Sequence, residues 1–182
     1  GAIGFGGMFA VYTYIAPTIT DVGGLSESAV PVFLFVFGLG MVAGTWVAGE
    51  LADWSIFRSL LGSSIGMGVV LLAFWAVAPH GWWALPVVFL ITVLGSVLVV
   101  NLQLRLMDVA GDAQTLGAAM NHASLNLANA LGAWLGGLVI AAGYGYRSTA
   151  LVGVVLSIGG FLVVIASAAV HVRGGSSSAS RS

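Results

Sequence analysis

Val32-Phe33-Leu34-Phe35-Val36-Phe37 begins a run that reaches Gly49 without a charged residue. Its apolar residues do not alternate with polar ones. A lipid-facing strand would show that alternation over about 10 residues, so the run excludes a membrane β-barrel. Its length is that of a helix crossing a bilayer, about 20 apolar residues. Lipid offers the backbone no hydrogen-bond partners, so a helix is the form such a run must take.

Five similar stretches flank it, and the six are predicted at 2–17, 28–48, 59–78, 84–104, 114–142 and 148–170. Only 6% of the 182 residues are charged, with Lys+Arg 5, Asp+Glu 6 and no lysine; a soluble domain carries about 25%. The expected fold class is therefore all-α, an integral membrane bundle of six transmembrane helices over 1–173 in the lipid bilayer. A Gly/Ser-rich tail, 174–182, is expected to be disordered. The net charge of −1 leaves no basic footprint for nucleic acid. The absence of cysteine excludes disulfides and cysteine metal sites, and no cofactor or metal ligand set is predicted.

The four prolines punctuate this plan. Pro17 and Pro79 are expected to close the first and third stretches. Pro31 and Pro86 fall in the first turns of the second and fourth, where proline is tolerated. Ser26 or Ser28 is a candidate cap for the second helix. Gly40 and Gly44, Gly62 and Gly66, and Gly132 and Gly136 have the small-xxx-small spacing that lets helices approach closely in lipid. Arg58, Arg105, Arg173 and Arg181 fall on one side of a six-crossing topology and only Arg147 on the other. That asymmetry places the C-terminus in the cytoplasm of a multi-pass inner (plasma) membrane protein. The chain starts at Gly1 inside an apolar run, without a basic leader, and an upstream piece is expected.

The break between stretches two and three reads Gly49-Glu50-Leu51-Ala52-Asp53-Trp54-Ser55-Ile56-Phe57-Arg58. It resembles the loop signature of the major facilitator superfamily, G-x-L-A-D-R-x-G-R-R. Gly49, Leu51, Ala52, Asp53 and Arg58 match; Trp54, Ile56 and Phe57 stand where the family prefers Arg, Gly and Arg. Tyr12-Thr13-Tyr14-Ile15-Ala16-Pro17 and Leu106-Met107-Asp108-Val109-Ala110-Gly111-Asp112-Ala113 look like the drug:proton antiporter branch of arabinose-efflux and chloramphenicol-exporter type. The resemblance implies the C-terminal six-helix half of a twelve-helix carrier whose N-terminal half is missing here. It also implies secondary efflux of small amphipathic molecules or drugs by alternating access, with proton coupling. Gly49, Asp53 and Arg58 would be its cytoplasmic latch.

On the fifth stretch His122, Asn126 and Asn129 are spaced i, i+4, i+7 and share one helix face. Polar side chains inside a membrane face a bundle interior or a wet cavity, so this stripe is a candidate substrate lining. Asn101 on the fourth stretch and Tyr12 and Tyr14 on the first join it, because the resemblance makes those two helices line the cavity. Arg105 reads as a residue that snorkels to the interface. Every Asp and Glu falls at a stretch end or in a break, so a proton-carrying acid is expected in the missing half. Two other functions compete. An intramembrane serine protease needs a nucleophile motif that Gly62-Ser63-Ser64-Ile65-Gly66 fails to supply. A non-catalytic scaffold predicts no polar stripe facing a cavity. No catalytic residue is assigned.

Overall fold

A computed structural model describes residues 1–178, with no side-chain description for residue 168 or for 170–178. The described residues form helices and turns and no strand. Helix α1 spans Ala2–Thr13 and continues, after a bend of 56°, through Ile15–Val22. Helix α2 spans Val30–Val77, α3 Ala84–Ala110, α4 Gln114–Val139 and α5 Ser148–Ser178. The last helix thus enters the stretch expected as a tail, while 179–182 lie outside the described residues.

By length and composition, Glu27–Tyr144 and Ser148–Ser167 qualify as membrane spans, and the bent pair Ala2–Thr13 and Ile15–Val22 as one more. The first of these cannot be one rod, because it doubles back. Straight, the 48 residues of α2 would extend about 72 Å at 1.5 Å per residue. Instead Phe33 near its start stacks on Trp82 just beyond its end, with ring centroids 5.9 Å apart. The fold-back is at Ser55, whose φ of −173° and ψ of 111° are extended. α2 is therefore two antiparallel arms, 30–54 and 56–77.

Ser55 begins the second arm as its N-cap. Its Oγ accepts from the Arg58 N–H at 3.3 Å, the third helical position, as a capping serine should. The expected serine cap of α2 takes a different form. Ser26 and Ser28 hydrogen-bond to each other at 2.6 Å and supply no side-chain cap to the helix. Pro17 does not close α1 either. Proline lacks an N–H and crowds the carbonyl four residues back, here Thr13, so the helix bends at Tyr14 and resumes. The Thr18 hydroxyl and N–H both donate to the Tyr14 carbonyl, at 2.6 and 3.0 Å, and carry the chain past the bend. The expected break at Arg105–Asp112 is also shorter than the charges suggested. α3 stays helical to Ala110 and stops at Gly111, whose φ of 53° suits glycine.

Helix α1 is central, and glycine brings its neighbours close. A Cβ on Gly7 would lie 2.7 Å from the Gly153 carbonyl oxygen, and one on Gly160 2.6 Å from the Gly4 Cα, so α1 and α5 touch backbone to backbone. A Cβ on Gly132 of α4 would lie 2.8 Å from the Ala10 nitrogen of α1. Cβ atoms on Gly40 and Gly44 of the first arm would lie 2.8 and 2.5 Å from the Phe89 and Val93 carbonyl oxygens of α3. The pairs Gly40–Gly44 and Gly132–Gly136 are thus buried contact surfaces. Gly62 is not, for it has nothing within 4 Å. Between the helices lies a core of Phe5, Met8, Phe33, Met67, Leu71 and Phe74 with neighbours of the same kind.

One end of the bundle gathers the bend after Tyr14, the turn Ala78–Trp83 and the turn Ile140–Tyr144. Tyr14 and Tyr146 meet there at 6.5 Å, and a Cβ on Gly23 would lie 3.1 Å from the Ala78 carbonyl oxygen. The other end gathers Gly1, the Ser55 fold-back and the α3–α4 turn.

Candidate functional site

The polar stripe of α4 is exposed. His122, Asn126 and Asn129 all lie on the bundle surface. Ser124 turns inward instead and donates to the Asn121 carbonyl at 2.8 Å. His122 and Ser124 therefore do not form a base–nucleophile pair.

The other three amide and phenol candidates occupy three different settings. Asn101 is fully buried in α3, donating from Nδ2 to the Val97 carbonyl at 2.9 Å, and its Oδ1 has no partner. Tyr12 is 42% exposed and its ring lies 4.6 Å from Phe37. Tyr14 donates its hydroxyl proton to the Ala133 carbonyl at 2.8 Å, and its ring fills the groove at Gly136. Asn121, one residue before His122 but buried, bridges two helices by donating to Gln103 Oε1 at 3.4 Å. The structure therefore groups the α4 stripe on one surface and sends Asn101 and Tyr14 into the packing.

Around the signature loop, Gly49, Asp53 and Arg58 are exposed. Asp53 and Arg58 form no ion pair; among the described residues the ion pair observed is Arg105–Asp108, at 3.6 Å on one face of α3. Arg58 instead sets its guanidinium 5.4 Å from the centre of the Trp54 ring, within cation–π range. Trp54 stands where the signature prefers Arg, so the arginine of the loop finds an aromatic face rather than a carboxylate. Ser59 completes the loop by donating to the Leu51 carbonyl of the first arm at 2.9 Å and to the Ser55 carbonyl at 2.8 Å. Leu51 is in the last turn of the first arm, where carbonyls lack helical partners, and Ser59 satisfies one of them.

A cavity of about 540 Å³ opens beside this loop, between α1, the second arm, α3 and α5. Its walls include Gly1, Phe5, Phe57, Leu98, Leu102 and Val164, and among the described residues Arg105 is the charged side chain that borders it. Arg105, expected as an interfacial anchor, stands at the edge of this cavity. The signal that could have found it was position: it stands at i+7 from Leu98 on the same helix face. A second, apolar groove of about 480 Å³ lies between α4 and α5 at the opposite end, lined by Leu135, Leu138, Val155 and their neighbours. Neither recess is bordered by His122, Asn126, Asn129, Asn101, Tyr12 or Tyr14. No group of three or more His, Asp or Glu that could hold a metal ion occurs among the described residues.

At the opposite end Arg147 closes the second arm. Its Nε donates to the Trp75 carbonyl, and its guanidinium lies 3.9 Å from the centre of the Trp75 ring. A cation at the carbonyl end of a helix is favoured by the helix dipole.

A helical bundle with an apolar exterior, glycine-paired helices and a polar stripe on one outer face has the make-up of a polytopic membrane protein. The chain is 34% identical over 166 residues to the inner membrane transport protein YdhP of Escherichia coli (strain K12), covering 91% of this chain and 43% of that protein. It is 33% identical over 138 residues to the MFS-type transporter YfhI of Bacillus subtilis (strain 168), covering 76% and 35%. It is 34% identical over 134 residues to a chloramphenicol resistance protein of Streptomyces lividans, covering 72% and 34%. The chain belongs to the major facilitator superfamily of transporters. It spans about two-fifths of the length of the first of these relatives. No family model matches it, and no solved structure matches it.

Proposed function

We propose that the chain is the C-terminal half of a secondary exporter of small amphipathic molecules. In this reading the two arms of α2 are separate crossings, so that α1 to α5 cross the bilayer six times with the C-terminus in the cytoplasm. The single observation that carries the proposal is the exposed stripe of His122, Asn126 and Asn129 on a helix of membrane-spanning length. Polar groups on a membrane helix face protein or water. That face is therefore covered by the partner half, with Tyr12 beside the same path, and binding at the interface of two such halves is the rule for carriers built from repeats. Names among the relatives, a chloramphenicol resistance protein and a probable sugar efflux transporter of Helicobacter pylori (strain G27), favour export over import.

Proton coupling belongs to this proposal. All six acidic residues, Asp21, Glu27, Glu50, Asp53, Asp108 and Asp112, sit at helix ends or turns, so the embedded acid falls to the other half. The test is accumulation of a drug panel in cells carrying the whole gene, with and without an uncoupler. Lower accumulation that the uncoupler restores is expected; accumulation equal to that of cells without the gene defeats the proposal.

A further inference from the structure

We propose that the groove between α4 and α5 seats one acyl chain of an outer-leaflet phospholipid, held by its hydrocarbon and not by its headgroup. The groove, of about 480 Å³, lies at the end of the bundle that carries the turns Ala78–Trp83 and Ile140–Tyr144. α4 meets α1 through Gly132, and α5 meets it through Gly153. Both helices are drawn onto α1, and a furrow remains between their outer faces. The buried Leu156 lies in its floor, and the exposed Leu138 and Val155 form its two rims.

Where the groove opens and what lines it both select lipid. Successive helical residues turn by about 100°, so Leu135 and Leu138 stand on the side of α4 opposite His122, Asn126 and Asn129. With the polar stripe against the partner half, this side faces the bilayer; the inference rests on that reading. The lining carries no charge, and its polar side chains, Tyr144 and Ser148, both lie at the turn end. Ser148 spends its proton on the Gly145 carbonyl at 2.6 Å, and the neighbouring Arg147 is turned to Trp75. A charged ligand finds no partner there, and no headgroup is selected. The α5 wall runs from Ser148 to Leu156, about 12 Å of helix, along the direction of the lipid chains. The exposed Tyr144 stands at its end, where an aromatic ring suits the headgroup boundary. The driving force is not hydrophobic, because lipid tails are as apolar as leucine. It is contact: a chain bridging the rims leaves the floor without partner atoms and forfeits their dispersion energy. A chain laid in the groove touches the floor and both walls.

The probe is a phosphatidylcholine with a diazirine on one acyl chain, in phosphatidylcholine nanodiscs around the whole polypeptide that carries this sequence. Labelled peptides are mapped by mass spectrometry. Val69 and Leu72, exposed on the second arm toward the same end, report ordinary boundary lipid. Peptides containing 135–139 and 151–156 are expected to carry about fivefold more label than peptides containing 69–72, equivalent to about 1 kcal/mol of added contact. Val152→Trp from one wall and Leu138→Trp from the other should each fill the groove and bring the label down to the level of 69–72; either variant alone, once folded, decides the matter. A phosphatidylglycerol with the same labelled chain should give the same excess. Label equal to that of 69–72, or an excess indifferent to the tryptophans, overturns the proposal and leaves the partner-half reading standing. An excess seen with phosphatidylglycerol alone overturns it in favour of headgroup binding. Label below that of 69–72 means that protein covers the groove, and overturns both this proposal and the assignment of the faces of α4.

Discussion

Ser59 has one hydroxyl proton and two carbonyl acceptors, on Leu51 and Ser55, and so joins the two arms of α2 where they fold back. Ser59→Ala takes its hydroxyl partner from the half-buried Leu51 carbonyl and should cost about 1 kcal/mol. For a chain of this size that is a fall of about 2–4 °C in Tm, read by thermal unfolding on size-exclusion in detergent. An unchanged midpoint would mean water takes the place of the hydroxyl. Arg147 is the second decisive residue. Arg147→Lys keeps the charge but loses the flat face on Trp75, and should forfeit about 1 kcal/mol; full stability in the lysine variant would reduce the contact to plain charge at a helix end. Neither pairing was legible beforehand. Gly49, Asp53 and Arg58 were visible as a pattern, but Arg58 faces Trp54, a neighbour set by the backbone turn at Ser55 and not by the motif.

Among the elements, the helices were legible because lipid permits an apolar run little else, and Pro31 and Pro86 fall in first turns as expected. The boundaries were less so. Pro17 bends α1 without ending it, since Thr18 supplies hydrogen bonds around the missing N–H. The charges of Arg105 and Asp108 looked like a loop but pair along a helix face. Glycine spacing marked close interfaces at Gly40–Gly44 and Gly132–Gly136, while in the third pair Gly66 packs on Leu94 and Gly62 meets open space, because spacing marks a face without saying what that face meets. This yields a paired prediction. Gly153→Leu forces a side chain against the Gly7 backbone, where a Cβ already lies 3.0 Å from the carbonyl oxygen. Overpacking of this kind costs about 1–3 kcal/mol or more, and the variant should lose most of its folded yield. Gly62→Ala meets nothing within 4 Å and gains up to about 1 kcal/mol of helix propensity. Equal loss of monodisperse protein in both variants would overturn the assignment of the α1–α5 contact.

At the scale of the whole molecule, the exposed stripe on α4 is out of keeping with a bundle bathed in lipid and in keeping with one that faces a second half. Asn126→Leu should therefore change which compounds are exported while leaving the amount of membrane-inserted protein unchanged; loss of protein with an unaltered substrate profile would assign Asn126 to packing. The six-crossing arrangement can be tested separately, and the chain is suited to it because it contains no cysteine. Ser28, before the first arm, and Trp82, after the second, lie at one end of the bundle, as the Phe33–Trp82 stack requires. Gly49 and Asp112 lie toward the opposite end, at the fold-back and the α3–α4 turn. Single cysteines at Ser28 and Trp82 should react with a membrane-impermeant maleimide from outside the cell. Cysteines at Gly49 and Asp112 should react only after the membrane is opened if the proposed orientation, with the arginine-bearing end in the cytoplasm, holds. If Ser28→Cys and Gly49→Cys react from the same side, the first arm does not cross, the stripe on α4 need not lie in the membrane, and the case for a partner half on that face is lost.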